Sequence, residues 1–187
     1  MHIRAKACLG FLLAGALLFT GCAGGKKVVL TYDRTCEVEL GKTKLADIMA
    51  SGFTDQHSYS GKAQIESSSW ENFYAMKDEV TYGTMYAANK SSKKVDFQEG
   101  EVFRVVIDYQ DPDYDTGEIL INGVNYDGYT RDQIKEAMSK AKMTLDSETY
   151  LNFEDGKFEY TFKFDEDSEA VSTISIDDGT DWELVIR

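Results

Sequence analysis

Apolar and polar residues alternate through most of this 187-residue chain, which is the pattern of strands with one buried face. In KFEYTFKF every second residue from Phe158 to Phe164 is aromatic, so that side of the strand needs a covering layer. Runs of this kind predict strands at Val28–Tyr32, Cys36–Leu40, Gln64–Ser69, Phe73–Lys77, Val80–Ala87, Val102–Tyr109, Ile119–Ile121, Tyr150–Phe153, Lys157–Phe164, Ala170–Ile176 and Trp182–Ile186.

The segment GKTKLADIMASGF follows a helical period instead. Leu45, Ile48 and Met49 fall on one face of a helix, and Gly52 is suited to the position just after its end. These features predict a helix over Lys44–Ser51.

A second helical period is found in GYTRDQIKEAMSKAKM. Thr130 and Gln133 have the spacing of a capping box, in which each residue satisfies a backbone N–H of the first turn. The apolar stripe that follows predicts a helix over Arg131–Lys142, and it consists of Ile134, Ala137, Met138 and Ala141.

The predicted order is a strand, a helix and several strands, and then the same order again. A short helix cannot bury its apolar stripe alone, so each helix is expected to pack on the strands that follow it. We therefore predict an α+β fold with two similar halves, each a short helix packed on an antiparallel sheet. The halves are residues 28–110 and 119–187, and residues 111–118 form an acidic linker loop between them.

The first 21 residues have the features of an export signal. Arg4 and Lys6 precede the apolar run Ala7–Thr20, which has the length of a signal-peptide core of about 7–15 residues. A helix that crosses a bilayer needs about 20 apolar residues. We therefore expect residues 1–21 to be a signal peptide and residues 22–27 to be a tether.

The segment FTGC resembles the lipobox of bacterial lipoproteins, with Phe19 where leucine is more usual. The resemblance implies that Cys22 receives a diacylglyceryl group and becomes the first residue of a protein anchored to the extracytoplasmic face of the cell membrane. Two or more acyl chains anchor a protein stably, because each buried methylene contributes about 0.8 kcal/mol. The alternative is an ordinary secretory signal that happens to contain a cysteine.

Two further resemblances concern the body of the chain. Gly128, Tyr129, Thr130 and Ile134 match the turn and helix that open the small α+β module of SmpA/OmlA-type outer-membrane lipoproteins and of β-lactamase-inhibitor-like proteins. The proline-containing motif that usually follows the helix is absent. The segment LGKTKLADIMASGF is similar to a motif of uncharacterised lipoproteins of Gram-positive bacteria. Since the first-named families bind other proteins, the resemblance implies a binding module.

The charge of the chain limits its partners. It has 33 acidic and 20 basic residues and a formal net charge of −13. Loss of residues 1–21 would remove Arg4 and Lys6, and −13 − 2 gives −15. A body of this charge is repelled by nucleic acid, so nucleic-acid binding is excluded.

The residues that catalysis usually needs are scarce. His57 is the one histidine beyond the signal, and Cys36 alternates with glutamates in CEVEL as a buried thiol would. Zinc sites need several such ligands. We therefore expect no enzyme activity, although a hydrolase that uses two carboxylates is an alternative in so acidic a chain.

The acidic loop DYQDPDYDTGE is the sharpest local feature. Asp111, Asp113 and Asp115 alternate and could converge on Ca²⁺, but glycine and glutamate are missing from the places that an EF-hand requires. A looser calcium site is one interpretation, and a solvated turn is the other.

Tyrosines flank the same loop and are candidate binding residues, namely Tyr109, Tyr114, Tyr126 and Tyr129. Exposed tyrosines make binding hot spots, whereas buried ones build sheet cores, and the sequence leaves both open. The sequence thus predicts a lipid-anchored, non-enzymatic module for binding or envelope maintenance. Its partner would be a protein or a cell-wall polymer that contacts a sheet face, and a calcium-dependent binding domain is the alternative.

Overall fold

Antiparallel sheet dominates the computed structural model, which describes residues 26–55, 63–111 and 115–179. The helices are α1 (Leu45–Ala50) and α2 (Arg131–Ala137), and Phe97–Glu99 forms a 3-10 turn. The strands are β1 (Val29–Tyr32), β2 (Cys36–Glu39), β3 (Thr54–Asp55), β4 (Gln64–Ile65), β5 (Ser69–Lys77), β6 (Val80–Asn89), β7 (Val95–Asp96), β8 (Glu101–Asp108), β9 (Ile119–Ile121), β10 (Lys142–Asp146), β11 (Tyr150–Asp155), β12 (Phe158–Phe164) and β13 (Val171–Asp177). The α+β class is therefore confirmed in its coarse form, as mostly sheet with few helices.

The strands form one long sheet and two smaller ones. The long sheet has eight strands in the order β10-β11-β12-β13-β8-β6-β5-β3, and all of its neighbours are antiparallel. The small sheet has three strands in the order β2-β1-β9, and β4 pairs with β7. Both sequence halves contribute to each of the first two sheets, because β8 pairs with β13 and β1 pairs with β9. A separate sheet for each half, as the sequence predicted, is not shown.

One hydrophobic core lies between the long sheet and the elements that cover it. Tyr32 on β1 packs edge-on against Tyr82 on β6, with ring centroids 6.1 Å apart. On the other side of the core, Tyr126 packs against Phe162 of β12 at 5.5 Å, and Ile134 of α2 is fully buried. All of the described members of this core lie between residues 28 and 176.

The second helix is shorter than predicted. It ends at Ala137, and Ala137 itself is exposed. The Ala141 N–H bonds to the Met138 carbonyl at 2.9 Å, which turns the chain so that Lys142 begins β10. The prediction of a helix over Arg131–Lys142 was therefore wrong at its C-terminal end. The capping box is present, and the Thr130 N–H donates to Oε1 of Gln133 at 2.8 Å.

Other predicted elements agree more closely. The first helix differs by one residue at each end, and the predicted strand Gln64–Ser69 is divided between β4 and the start of β5. The predicted strand Trp182–Ile186 lies outside the described residues, as does the proposed signal peptide. Within the described ranges, no helix is long and apolar enough to cross a bilayer.

Candidate functional site

The long sheet has one face packed on the core and a second face that we call the open face. Residues on the open face alternate with core residues, and their side chains are half-buried or exposed. Strand register aligns them in three cross-strand rows. The rows are Asn72-Tyr86-Arg104-Asp177-Glu159-Glu154-Lys142, Tyr74-Thr84-Val106-Ser175-Thr161-Asn152-Leu145 and Asp108-Thr173-Lys163-Tyr150.

An aromatic cluster with an arginine occupies one side of the open face. Trp70 on β5 and Tyr86 on β6 meet edge-on with ring centroids 5.4 Å apart. The guanidinium of Arg104 on β8 lies 5.4 Å from the Tyr86 ring centroid, as a cation–π pair. Phe103 adds a ring 6.4 Å from Tyr86, at a point where the register between β6 and β8 shifts. Trp70, Tyr86 and Arg104 are half-buried, so they are held in place and still present surface.

Carboxylates occupy the neighbouring part of the same face. Asp177, Glu159 and Glu154 lie directly opposite one another on β13, β12 and β11. Opposed like charges repel across a sheet. Arg104 is opposite Asp177, and Lys142 binds Glu154 at 2.7 Å, so cations are present at both ends of the row. Burial raises the pKa of Asp177, against the effect of the Gly179 N–H that donates to it at 2.9 Å.

The predicted calcium residues are only partly described. Asp111 accepts a hydrogen bond from the Tyr74 hydroxyl, and the backbone carbonyl of Asp115 accepts the Thr81 N–H at 2.9 Å. Asp113 lies outside the described residues. Within the described ranges, no three metal-ligating side chains converge. The calcium site therefore stays a prediction.

The tyrosines predicted to bind a partner are mostly part of the core. Tyr126 is buried and meets Tyr129 edge-on at 5.4 Å, and Tyr109 and Tyr129 pack against the core. Burial raises the pKa of both Tyr109 and Tyr126. These three residues take the sheet-core role that the sequence left open, whereas Tyr114 lies outside the described residues. Trp70 and Tyr86 were not among the binding residues predicted from sequence, because local patterns do not show which aromatic residues remain exposed.

The other predicted residues divide in the same way. Cys36 is buried, and burial raises its pKa, so its thiol is held in the protonated, unreactive form. Cys22 and His57 lie outside the described residues, so the lipidation prediction is not tested by the structure.

A groove of 670 Å³ lies between the start of α2 and the turns that follow β10 and β12. Arg131 stacks over Phe164 in this groove, with its guanidinium carbon 4.9 Å from the ring centroid. Backbone and side-chain hydrogen bonds from Ser168 hold the pKa of Asp165 below its usual value. The groove is acidic, and its carboxylate lining consists of Asp132, Glu148, Asp165, Glu166 and Glu169.

Comparison with known proteins does not identify a family. No protein-family model matches the chain, and no curated protein or solved structure shows a significant match to it.

Proposed function

We propose that the chain is an extracytoplasmic protein, lipid-anchored through Cys22, that binds a partner protein with the open face of its long sheet and catalyses no reaction. The anchor rests on the lipobox-like FTGC after a signal-like run. The binding role rests on the open face.

The observation that carries the proposal is the group of Trp70, Tyr86 and Arg104 on that face. Tryptophan, tyrosine and arginine are the residue types most enriched in binding hot spots. Here they touch one another on three adjacent strands and stay half-buried. A rigid sheet positions them in advance, so binding would cost little ordering of side chains.

A protein partner is favoured over an acidic cell-wall polymer. The chain has a net charge of −13, and carboxylates form a row beside the aromatic cluster. A polyanionic polymer would be repelled by these charges, whereas a protein with apolar and basic side chains would complement both parts of the face.

We further propose that the two sequence halves are similar units. In support, α1 precedes four strands of the long sheet, β3, β5, β6 and β8, and α2 precedes the other four, β10 to β13. The strand order is mirrored about the junction of β8 with β13. The resemblance of the second half to SmpA/OmlA-type and β-lactamase-inhibitor-like modules implies the same architecture and a binding role.

The experiment uses the soluble domain, residues 23–187, immobilised and exposed to an extract of the envelope proteins of the source cell. We expect one or more proteins to be retained, identified by mass spectrometry and then purified for titration. Trp70→Ala and Arg104→Ala should each weaken binding of the purified partner by about tenfold or more, since hot-spot truncations cost at least about 1–2 kcal/mol.

Met49→Ala is the matched control. Met49 is 42% exposed on α1, away from the open face, so its truncation removes apolar surface without touching the proposed site. Equal binding by the open-face variants and the wild type would refute the binding surface. Turnover of any substrate that is lost on a single point change would refute the non-enzymatic role.

A further inference from the structure

The place where the tether leaves the domain is fixed by contacts of Lys26. Lys26 forms an ion pair with Asp155, the last residue of β11, beside the turn that leads to β12. A Cβ atom on Gly156 in the same turn would lie 3.6 Å from the Lys26 Cβ. Only three residues separate Lys26 from Cys22, so the chain between them spans at most about 14 Å. A bilayer that holds a lipid on Cys22 is therefore close to this turn.

Lysines, most of them paired with a carboxylate, lie at the end of the strands where this turn is found, and we call this group the lysine rim. It consists of Lys26, Lys27, Lys42, Lys44, Lys90, Lys142 and Lys157. Lys142 joins the rim through Glu154, the residue before Asp155, at 2.7 Å. Lys157 follows the turn and binds the buried Asp178 at 3.6 Å.

The rim continues along the start of β8. A Cβ atom on Gly41 would lie 3.4 Å from the Lys157 Nζ, which places Lys42 next in the series. Lys44 binds Glu99 at 2.7 Å, and Lys90 binds Glu101 at 3.3 Å. The side chains of Lys42 and Lys142 are 72% and 73% exposed, so their ammonium groups can reach beyond the carboxylates.

The opposite ends of the same strands carry mostly carboxylates, and we call them the acidic turns. They follow β1, β5, β8, β10 and β12, and each of these strands begins at the rim and ends at an acidic turn. Their described acidic residues are Asp33, Asp78, Glu79, Asp108, Asp111, Asp115, Glu118, Glu148, Asp165, Glu166, Asp167 and Glu169. The described basic residues at or near that end are Arg34, Lys77, Arg131, Lys135 and Lys163.

We propose that the lysine rim rests on anionic phospholipid headgroups and that the acidic turns point away from the bilayer. The proposal rests on the lipid anchoring given under "Proposed function". Headgroup charge attracts lysines that lie within a Debye length of the surface and repels carboxylates there. The tether and the charge distribution are independent features, and both select the same orientation.

This orientation has a consequence for the open face. Because β11 and β12 begin or end at the rim, the strands of this part of the sheet point away from the membrane. The open face then stands at an angle to the bilayer, and its row from Asn72 to Lys142, which contains Tyr86 and Arg104, is the row nearest to the membrane. The rim also contains carboxylates that offset its lysines, among them Glu99, Glu101, Glu154, Asp155 and Asp178. The acidic turns have more than twice as many acidic as basic residues, so the excess negative charge of the domain lies at the far end, away from an anionic surface.

The test attaches the domain to vesicles chemically, so it does not depend on lipidation in the cell. Residues 22–187 contain every core residue that the structure describes, and Cys22 is coupled to a maleimide phospholipid. Cys36 is only 4% exposed and competes poorly for the reagent. Lysines are then acylated briefly with an amine-reactive ester, and mass spectrometry gives the rate at each lysine. Vesicles of phosphatidylcholine alone are compared with vesicles containing phosphatidylglycerol.

We expect acylation of Lys42 and Lys142 to be slowed by about threefold or more on the anionic vesicles, because headgroups cover them. Acylation of Lys135 and Lys163 should be unchanged, and high salt should abolish the difference. Exchange of the two rim residues, Lys42→Glu with Lys142→Glu, should remove the protection of Lys44. The matched control, Lys135→Glu with Lys163→Glu, has the same change in charge and should retain it.

Equal protection of all lysines, or no difference between the two kinds of vesicle, would overturn the orientation. Protection of Lys163 in place of Lys42 would overturn it as well. The anchor itself is judged separately, by whether Cys22→Ala alters membrane association in cells. A failure of the proposed orientation can therefore be distinguished from a failure of the proposed lipid anchor.

Discussion

Asp177 is a residue of the open face whose ionised form is disfavoured by its surroundings. It lies opposite Arg104 on one side and Glu159 on the other. Burial raises its pKa, and the adjacent Asp178 acts in the same direction. Ionised Asp177 therefore destabilises the fold, and a cationic group from a partner would reduce that cost.

Asp177→Asn should raise the free energy of unfolding at neutral pH by a few tenths of a kcal/mol at most, because the carboxylate is partly exposed and solvent screens its charge. Asparagine keeps an oxygen to accept the Gly179 N–H and removes the charge. A pKa that is raised in the folded state favours the protonated form, so the native Asp has no penalty below its unfolded pKa of about 3.9. The penalty develops as the pH rises through the folded pKa.

Urea unfolding of both proteins at about pH 3 and about pH 7 measures this effect. The two curves should converge at the lower pH. If the two proteins differed in unfolding free energy by the same amount at both pH values, the effect would come from packing, and the role of ionisation would be contradicted.

The surroundings of individual residues were difficult to predict from sequence. The tyrosines around the acidic loop were identified as candidates, but Tyr126 is buried, whereas Tyr86 lies on the open face. Gly83 is another example, since it has a positive φ of 89° and lies against the Val106 carbonyl of the neighbouring strand. Such surroundings come from strand pairing, which a local pattern does not contain.

At the scale of elements, alternation predicted strands well wherever one face is buried. β12 has the burial pattern that its aromatic residues require, and β9 matches its predicted range. β10 was missed because all five of its residues are exposed, so it has no buried face to produce alternation. It is an edge strand of the long sheet, with a register shift near Thr144 and a lysine at position 142. Both features oppose the pairing of an exposed edge with another chain.

The capping box of α2 gives a prediction for one element. Gln133→Ala removes the oxygen that accepts the Thr130 N–H at 2.8 Å. The loss should lower the free energy of unfolding by about 0.5–1 kcal/mol, because that N–H has no intrahelical partner. Urea unfolding gives the value.

Glu136→Ala is the control in the same helix. Glu136 is exposed, and its side chain takes no part in the cap. It should change stability by a few tenths of a kcal/mol at most. If the two variants lost the same free energy of unfolding, the effect of Gln133→Ala would not come from the capping box.

For the whole molecule, the sequence predicted the number and kind of elements better than their assembly. The pairing of β8 with β13 joins residues such as Val106 and Ser175. Alternation marks both strands as half-buried but does not say which strand neighbours which. The division into a lysine rim and acidic turns depends on this pairing. The net charge could therefore be read from the sequence, but the distribution of charge over the fold could not be predicted from it.

The lipid anchor is the prediction on which the orientation in the cell depends. Cys22→Ala should release the protein from membranes or leave its signal unprocessed, because no thiol remains to receive the diacylglyceryl group. Fractionation of cells and the mass of the N-terminus measure both outcomes. Cys36→Ala is the matched control, since it removes a buried thiol in the domain and should leave the protein on the membrane. A Cys22→Ala chain that stays membrane-bound and is cleaved at the same site would refute the anchor, and the lysine rim alone would then have to account for any attachment.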